Sequence, residues 1–503
     1  MLDMFAAGFQ AAFTLQGLLM ITLGVFVGII FGCIPGLTTT MAVALCIPLT
    51  FGMDPTVAMS LLMGLYVGGT SGGLISAILI NIPGTPASVA TCWDGHPLAA
   101  RGEAGKALGI GVFYSFLGTL FSIIALVFIA PPLADFALQF WPSEYFALAL
   151  FSLTMIGALA GKQLAKGMVV GFLGMALAFV GTAPIDAIPR FTFGFHELDG
   201  GFDILPALIG LFAVSEILNV AEKDVELKKA QLLLNFKMKG MGFSIKEFAG
   251  QTWNMIRSAL IGIGIGILPG IGAGTSNIVS YGVAKSQSKH PERFGTGIID
   301  GVVASETASC STIGGAIVPL LTLGIPGDTV TAMILGGLMI HGLQPGPLLF
   351  IQNGPVVYGI FISLIIANFI MLAMEFFGIR VFARLLSVPK YILLPIIFAL
   401  CAVGAFGLNN RIFDIWVVLF FGVLGYVLQK LKFPTSPIIL GIILGPMAET
   451  NFRRGMQMVN GDFLQFFTRP ITDFFLLATV LMIVLTGLSH VRGKEKEAAV
   501  AKA

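Results

Sequence analysis

An all-α polytopic membrane protein is the fold class that this sequence predicts. Three observations carry the prediction: a deficit of charge along the whole chain, apolar runs of membrane-spanning length, and Pro-Gly interruptions that recur in matched order. Only 11% of the 503 residues are charged and 56% are hydrophobic, with a mean hydropathy of +0.94. A soluble domain carries about 25% charged residues, and here the shortfall is not confined to one anchor. Apolar runs close to the about 20 residues that cross a hydrocarbon core lie at 14–33, 107–130, 144–160, 166–183, 356–376, 391–408, 412–428 and 471–488. Alternating segments of about ten residues, the mark of a transmembrane barrel, are absent. With interrupted stretches included, roughly 10–13 membrane elements are expected.

At the N-terminus, "MLDMFAAGFQAAFTLQG" has neither a basic n-region nor an A-x-A-like site, so the first apolar segment is expected to stay as a span. Net charge is +2, which offers no case for nucleic acid. The lysine-rich segment 221–247, "AEKDVELKKAQLLLNFKMKGMGFSIKE", is expected on the cytoplasmic side by the positive-inside rule. Its Leu and Phe among lysines suit a helix lying along the membrane surface; a solvated linker is the alternative. The polar tail 491–503 is expected to be cytoplasmic. The chain then divides into a first transmembrane repeat (1–220), the linker (221–247), a second repeat (248–490) and the tail. Five cysteines and five histidines are scattered without C-x-x-C or converging spacing, so no metal site, disulfide or cofactor is expected.

The repeats rest on the breaks. The first half reads "FGCIPGLTTTMAVAL" (31–45) and then "GGTSGGLISAILINIPGTP" (68–86); the second reads "IGILPGIGAGTSNIVSY" (265–281) and then "TIGGAIVPLLTLGIPGDT" (312–329). Pro35-Gly36 corresponds to Pro269-Gly270, and Pro83-Gly84 to Pro326-Gly327. Proline removes an N–H and clashes with the preceding turn, while glycine admits open backbone geometry. In lipid, freed backbone groups survive only where protein or a wet cavity satisfies them. Matched interruptions in two halves therefore point to a secondary-transporter site. Helix N-termini at the breaks can hold an anion, and freed carbonyls can hold Na⁺. A kink or close helix packing would explain a single Pro-Gly. Four in matched order, each followed by short polar residues, favour binding: Thr38, Thr39 and Thr40; Thr85 and Ser88; Gly272, Gly274, Thr275, Ser276 and Asn277; Asp328, Thr329 and Thr331. Asn81 and Thr85 are the side chains to test first.

Three acids within or beside apolar stretches are candidates, because embedded charge is costly. Asp94 reads as a surface residue that pairs with Arg101 or caps a helix. Glu306 reads as a proton-coupling or cation-binding group, and Asp328 as an N-cap that also suits a cation. His341 reads as a helix-end packing or capping residue. A buried Lys or Arg facing the substrate is missing from the clearest apolar runs, so backbone dipoles and hydroxyls would carry anion recognition. An intramembrane aspartyl protease would need a second aspartate facing Asp328, and Asp414 sits instead at a helix start beside Arg411. Enzymatic activity is not expected.

At these motifs the chain resembles the TctA family, the large permease subunit of tripartite tricarboxylate transporters. The phrases that carry the resemblance are "GCIPGL" (32–37), "NIPGTPASVATCWDGHPLAARGEAGKALG" (81–109), "PRFTFG" (189–194), "LPGIGAGTSNIVSYGVAKSQSKHPERFGTG" (268–297) and "PLLTLGIPGDTVTAMILGGLMIHGLQPGP" (319–347). One departure is "ASETASCS" (304–311), where the family reads "APEAANNA": Glu306 is kept, and Ser309 and Cys310 replace paired asparagines. The resemblance implies a bacterial inner-membrane permease with two partners, a small four-helix membrane subunit (TctB-like) and a periplasmic solute-binding protein (TctC-like). It implies uptake of citrate-like di- or tricarboxylates driven by Na⁺ or H⁺, and, by analogy, inverted repeats with elevator-type movement. Hydroxyl-rich breaks and sparse buried acids favour Na⁺. Runs 107–160 and 356–428 are expected to supply scaffold and subunit contacts. A stand-alone carboxylate carrier is the alternative.

Overall fold

A computed structural model describes residues 2–159, 164–222, 244–386, 388 and 390–484. In chain order the helices are α1 (Leu2–Ala12), α2 (Leu15–Cys33), α3 (Thr39–Cys46), α4 (Pro55–Ile80), α5 (Val89–Leu98), α6 (Ala104–Ala137), α7 (Pro142–Leu159), α8 (Leu164–Ala178), α9 (Ile204–Ile209) and α10 (Ser215–Glu222). The second half supplies α11 (Ile245–Ile267), α12 (Gly272–Gln287), α13 (Ile299–Leu323), α14 (Thr329–Ile340), α15 (Pro347–Gln352), α16 (Gly354–Leu385), α17 (Lys390–Asn409), α18 (Ile412–Lys430) and α19 (Ser436–Met458). A short antiparallel pair, β1 (Gly181–Thr182) and β2 (Pro189–Arg190), sets Gly181 opposite Arg190.

The protein is a multi-pass helical membrane protein. Among the described residues, seven helical stretches are long and apolar enough to cross a bilayer. Five of them contain apolar runs noted in the sequence: Leu15–Cys33, Pro86–Ala137, Gly354–Leu385, Tyr391–Asn409 and Ile412–Lys430. The other two, Pro55–Ile80 and Ile204–Glu222, were not among those runs. In α4 the run "GGTSGG" dilutes hydropathy, yet the span-length window is wholly buried against other helices, so it does not need a lipid-like surface. Shorter apolar helices cover Thr39–Thr50, Ala165–Ala178, Thr329–Ile340 and Pro470–Val484.

The chain forms two compact units, each taking one segment from each half of the sequence. Unit 1 is Met1–Asp135 with Phe212–Arg411, and unit 2 is Phe136–Leu211 with Ile412–Ala503. Within unit 1, α2 and α4 approach until backbone meets backbone. A Cβ on Gly28 would lie 2.6 Å from the Leu65 carbonyl oxygen, and one on Gly72 would lie 2.7 Å from that of Ile29. In lipid the hydrophobic effect does not drive helices together, so small residues that permit such contact take its place. The corresponding pair α11 and α13 does the same, with Gly315 against Ile263 at 2.6 Å. Within unit 2, Gly174 of α8 abuts the Ile438 carbonyl of α19. On α18 the exposed residues Ile412, Trp416, Phe420, Val423 and Val427 recur at helical spacing, which makes one continuous apolar face suited to lipid.

The linker and tail read from the sequence lie outside the described residues, apart from 221–222 and 244–247. There Ser244 opens α11 with a capping box, accepting from Glu247 N at 3.2 Å while its own N–H donates to Glu247 Oε2 at 2.8 Å.

Candidate functional site

The first break follows α2. Pro35 is buried, Gly36 takes φ 94°, and Thr38 then caps α3 by accepting from Met41 N at 3.2 Å. The second follows α4, where Asn81 ends the helix in the left-handed region at φ 56°. Pro83 is half-buried, and Gly84 N donates to Gly73 O at 3.4 Å. The third follows α11, with Pro269 buried, Gly270 at φ 76° and Gly272 at φ 70°. The fourth follows α13, which ends at Gly324, φ 72°, before the buried Pro326 and Gly327.

Breaks two and four share one construction. Asn81 and Gly324 occupy equivalent positions, two residues before each proline, in the same left-handed conformation. A Cβ on Gly84 would overlap the Gly32 carbonyl oxygen, and one on Gly327 would lie 2.5 Å from that of Gly266. Gly32 and Gly266 each stand three residues before the proline of the preceding break. The chain then restarts at a polar residue in each case. Ser88 bonds back to the Thr85 carbonyl at 3.0 Å. Asp328 caps α14 through Thr331, whose N–H donates to Oδ1 at 2.7 Å and whose hydroxyl donates to it at 2.8 Å. These glycines have a packing reason whatever else they do, because backbone fills the space a side chain would need.

The four breaks are brought together inside unit 1. Thr40, just past the first, faces Thr329 of the fourth with hydroxyl oxygens 3.1 Å apart. Gly270 of the third donates to Gly327 O at 2.8 Å, and a Cβ on Gly272 would lie 3.2 Å from Asp328 Cβ. A Cβ on Gly274 would meet Pro86 of the second at 3.2 Å. Thr39 is buried against Gly69, and Thr85 is buried with its hydroxyl oxygen unpartnered. Three predicted residues stand apart from these contacts. Asn81 is exposed, Thr275 is exposed and bonds back to Ile271 O at 3.5 Å, and Ser276 is spent on the carbonyls of Ala273 and Ala308, both at 3.1 Å. Helix N-termini and short hydroxyls thus converge, the donor set that holds a carboxylate.

Acidic groups lie around this cluster. Asp328 also accepts from Tyr66 at 2.6 Å. Glu306 lies farther back on α13, buried, with Thr91 of α5 bonded to Oε1 and Ser115 of α6 to Oε2 at 2.9 Å. Thr91 stands on α5, just past the second break, and Ala90 N of the same helix donates to Asn277 Oδ1 of α12, just past the third, at 2.6 Å. Two participants escaped the sequence reading. Tyr66 was available as the one phenol in "LLMGLYVGGTSGG". Glu375 was available as the lone acid in the run 356–376; it is fully buried and bonded to Ser71 at 2.8 Å. Asp94 does not pair with Arg101, which bonds to the Thr296 carbonyl. It caps the start of α13 instead, with Oδ1 accepting from Gly295, Gly297 and Ile298 N at 2.7–3.0 Å and Oδ2 from Tyr281 at 2.9 Å. His341 ends α14 and reaches Thr50 at 3.0 Å, the capping and packing role expected of it.

The family model for the tripartite tricarboxylate transporter TctA family matches residues 18–440. The chain belongs to the TctA family. One relative is an uncharacterized 52.8 kDa protein in the TAR-I ttuC' 3' region of Agrobacterium vitis, 32% identical over 491 residues, covering 97% of this chain and 96% of the relative. A second, an uncharacterized protein in the TAR-II ttuC' 3' region of the same organism, is 34% identical over 233 residues, 46% of this chain and 96% of the relative. The TctA match covers all four breaks, Glu306 and Glu375, so the clustered geometry lies within the matched residues.

Proposed function

We propose that this chain is the large transmembrane permease subunit of a binding-protein-dependent secondary transporter of the bacterial inner membrane. It imports citrate-like di- or tricarboxylates by symport with Na⁺ or H⁺. The observation that carries this reading is the joining of four Pro-Gly breaks, two from each half of the chain, into one set of contacts. Helix starts at the breaks offer N–H groups to carboxylates, and Thr39, Thr40, Thr85 and Thr329 add hydroxyls. A cation beside Asp328 or the freed carbonyls offsets the charge of the incoming anion.

The matched construction of breaks two and four supports a pair of inverted repeats. On an elevator reading, unit 1, which holds every break, is the moving part; of the runs expected as scaffold, 107–135 and 356–411 then move with it, and 136–160 and 412–428 of unit 2 are left to contact the TctB-like subunit. A TctC-like protein delivers the substrate.

The test is uptake by proteoliposomes of citrate, smaller dicarboxylates and aromatic carboxylates, with and without the periplasmic partner and with and without Na⁺. Uptake that needs the partner and an ion gradient is expected. Full-rate uptake by the chain alone would replace the tripartite reading with a stand-alone carrier, and no carboxylate uptake under any condition would reject both.

A further inference from the structure

We propose that a cavity in unit 2 binds the phosphate of an anionic phospholipid, whose acyl chains lie along the helix Pro470–Val484. The inference needs only the membrane placement of the chain and not its transport reading. The cavity, about 310 Å³, lies where α7 begins and α19 ends. Its lining includes Trp141, Ser143, Met458, Gln465, Thr468 and Arg469. Arg469 is the one charged residue in that lining, and no acid belongs to it.

The Arg469 guanidinium is fixed from one side. Its Nε donates to Glu144, which also accepts from Trp141 N, and the group lies 4.2 Å from the centre of the Trp141 ring. Glu144 is fully buried and does not line the cavity. A guanidinium carries five N–H donors in a planar fork, and among the described residues Nη1 and Nη2 of Arg469 have no partner. Ser143 supplies the second polar group. It is only 6% exposed, lines the cavity, and its hydroxyl forms no hydrogen bond among the described residues. A buried hydroxyl left without a partner is costly, and a bound oxyanion would satisfy it. Ser143 also stands in the first turn of α7, where the helix dipole favours negative charge. A fork of N–H donors beside a hydroxyl matches the oxygens of a phosphate, which arginine binds in bidentate fashion.

Position chooses the source of that phosphate. Both α7 and the helix Pro470–Val484 run apolar from this point, so the cavity lies where hydrocarbon gives way to headgroups. Trp141, 47% exposed, is a residue type enriched at that level. Beyond Arg469, the exposed residues Phe474, Leu477, Leu481 and Val484 recur at helical spacing and form one strip. A lipid covers this strip with its acyl chains while its phosphate fills the cavity, whereas a free phosphate gains nothing from it. Basic pockets between membrane helices bind lipid headgroups in this way. Arg454, exposed one turn before Met458 on α19, adds positive charge nearby; the exposed acids Asp462 and Asp473 are not lining residues.

The experiment titrates the full chain, purified in non-ionic detergent and stripped of lipid, with phosphatidylglycerol, phosphatidylcholine or inorganic phosphate. Native mass spectrometry counts bound lipid, and protection against thermal unfolding gives the affinities. One tightly held phosphatidylglycerol per chain is expected. Phosphatidylcholine should bind more weakly, because no lining acid receives its ammonium, and inorganic phosphate more weakly still, because it has no chains. Ser143→Ala is expected to weaken phosphatidylglycerol binding about tenfold. Gln465 is exposed at the cavity, so Gln465→Glu is expected to weaken binding about fivefold and Gln465→Lys to strengthen it about fivefold. Opposite shifts from one exposed position separate electrostatics from any loss of folding. Arg469 is a poorer probe, because its removal also unsettles Glu144. Equal binding of the two lipids, Ser143→Ala binding like wild type, or Gln465 variants that shift binding in the same direction or not at all would overturn the site. Inorganic phosphate bound as tightly as phosphatidylglycerol would overturn the lipid as its occupant in favour of a soluble anion.

Discussion

Glu144 in unit 2 and Glu375 in unit 1 are both fully buried, yet their surroundings are opposite in kind. Glu144 accepts from Trp141 N and from Arg469, whose guanidinium also lies 4.2 Å from the centre of the Trp141 ring. Glu449, also in unit 2, receives Arg190 through two bonds at 2.7 and 3.0 Å and Arg453 at 3.1 Å. Glu375, Glu306 and Asp328 in unit 1 meet hydroxyls and, for Asp328, one backbone N–H. A buried carboxylate bonded to arginine is locked to a partner that is always charged, and the pair holds its neighbours in place. One surrounded by hydroxyls can change its charge without losing its contacts. Arginine thus holds Glu144 and Glu449 in unit 2, whereas hydroxyls surround Glu306, Glu375 and Asp328 in unit 1.

The strongest attempt to break this comparison removes a cation from unit 2. Arg469→Ala leaves Glu144 buried and unpaired, which is expected to destabilise by about 3–5 kcal/mol, read as a large fall in the apparent Tm of purified protein. Asp94→Ala tests the fixed acid of unit 1. Loss of the cap on residues 295–298 is expected to cost about 1.5–3 kcal/mol, the range for hydrogen bonds to a charged group, and to speed hydrogen exchange at the start of α13. Tyr66→Phe removes the phenol from Asp328, with an expected cost of about 1–3 kcal/mol and slower uptake as Asp328 loses a donor. Glu375→Gln sharpens the contrast with Arg469→Ala: an amide that keeps the bond to the Ser71 hydroxyl is expected to move stability by less than about 1 kcal/mol. If Glu375→Gln proves as damaging as Arg469→Ala, the distinction between the units fails. The smallest effect belongs to the partly exposed pair of Lys106 and Glu247, 2.7 Å apart; Glu247→Gln is expected to cost about 0.2–1 kcal/mol, less in high salt.

The glycines at the breaks need a different experiment. Gly84→Val or Gly327→Val forces a side chain into the backbone of Gly32 or Gly266, so either variant disturbs helix packing and reports little about binding. Substitutions at Thr40, Thr85 and Thr329 leave that packing in place and are the better probes of substrate recognition.

Much of the helical framework was legible because proline and glycine act through the local backbone. Pro35, Pro83, Pro269 and Pro326 end or interrupt helices wherever the chain goes, so their positions could be read directly. Asn81 shows the limit of such reading. As a polar residue beside a break it suggested a ligand, but Gly324 at the equivalent position shares its left-handed backbone, which gives Asn81 a conformational role. Ser276 likewise has the chemistry of a binding residue but spends its hydroxyl on two carbonyls.

By itself the sequence determined the membrane-spanning character, the matched interruptions and the chemical types gathered near them, because hydropathy, proline sterics and repeat order are properties of neighbouring residues. Only the tertiary structure decided which breaks touch, that Asp94 caps a distant helix rather than pairing with Arg101, and that Glu375 meets Ser71. The physical reason is that a carboxylate's role depends on which donors surround it. For Glu375 that donor is Ser71, 304 positions away along the chain, and no local pattern brings the two together.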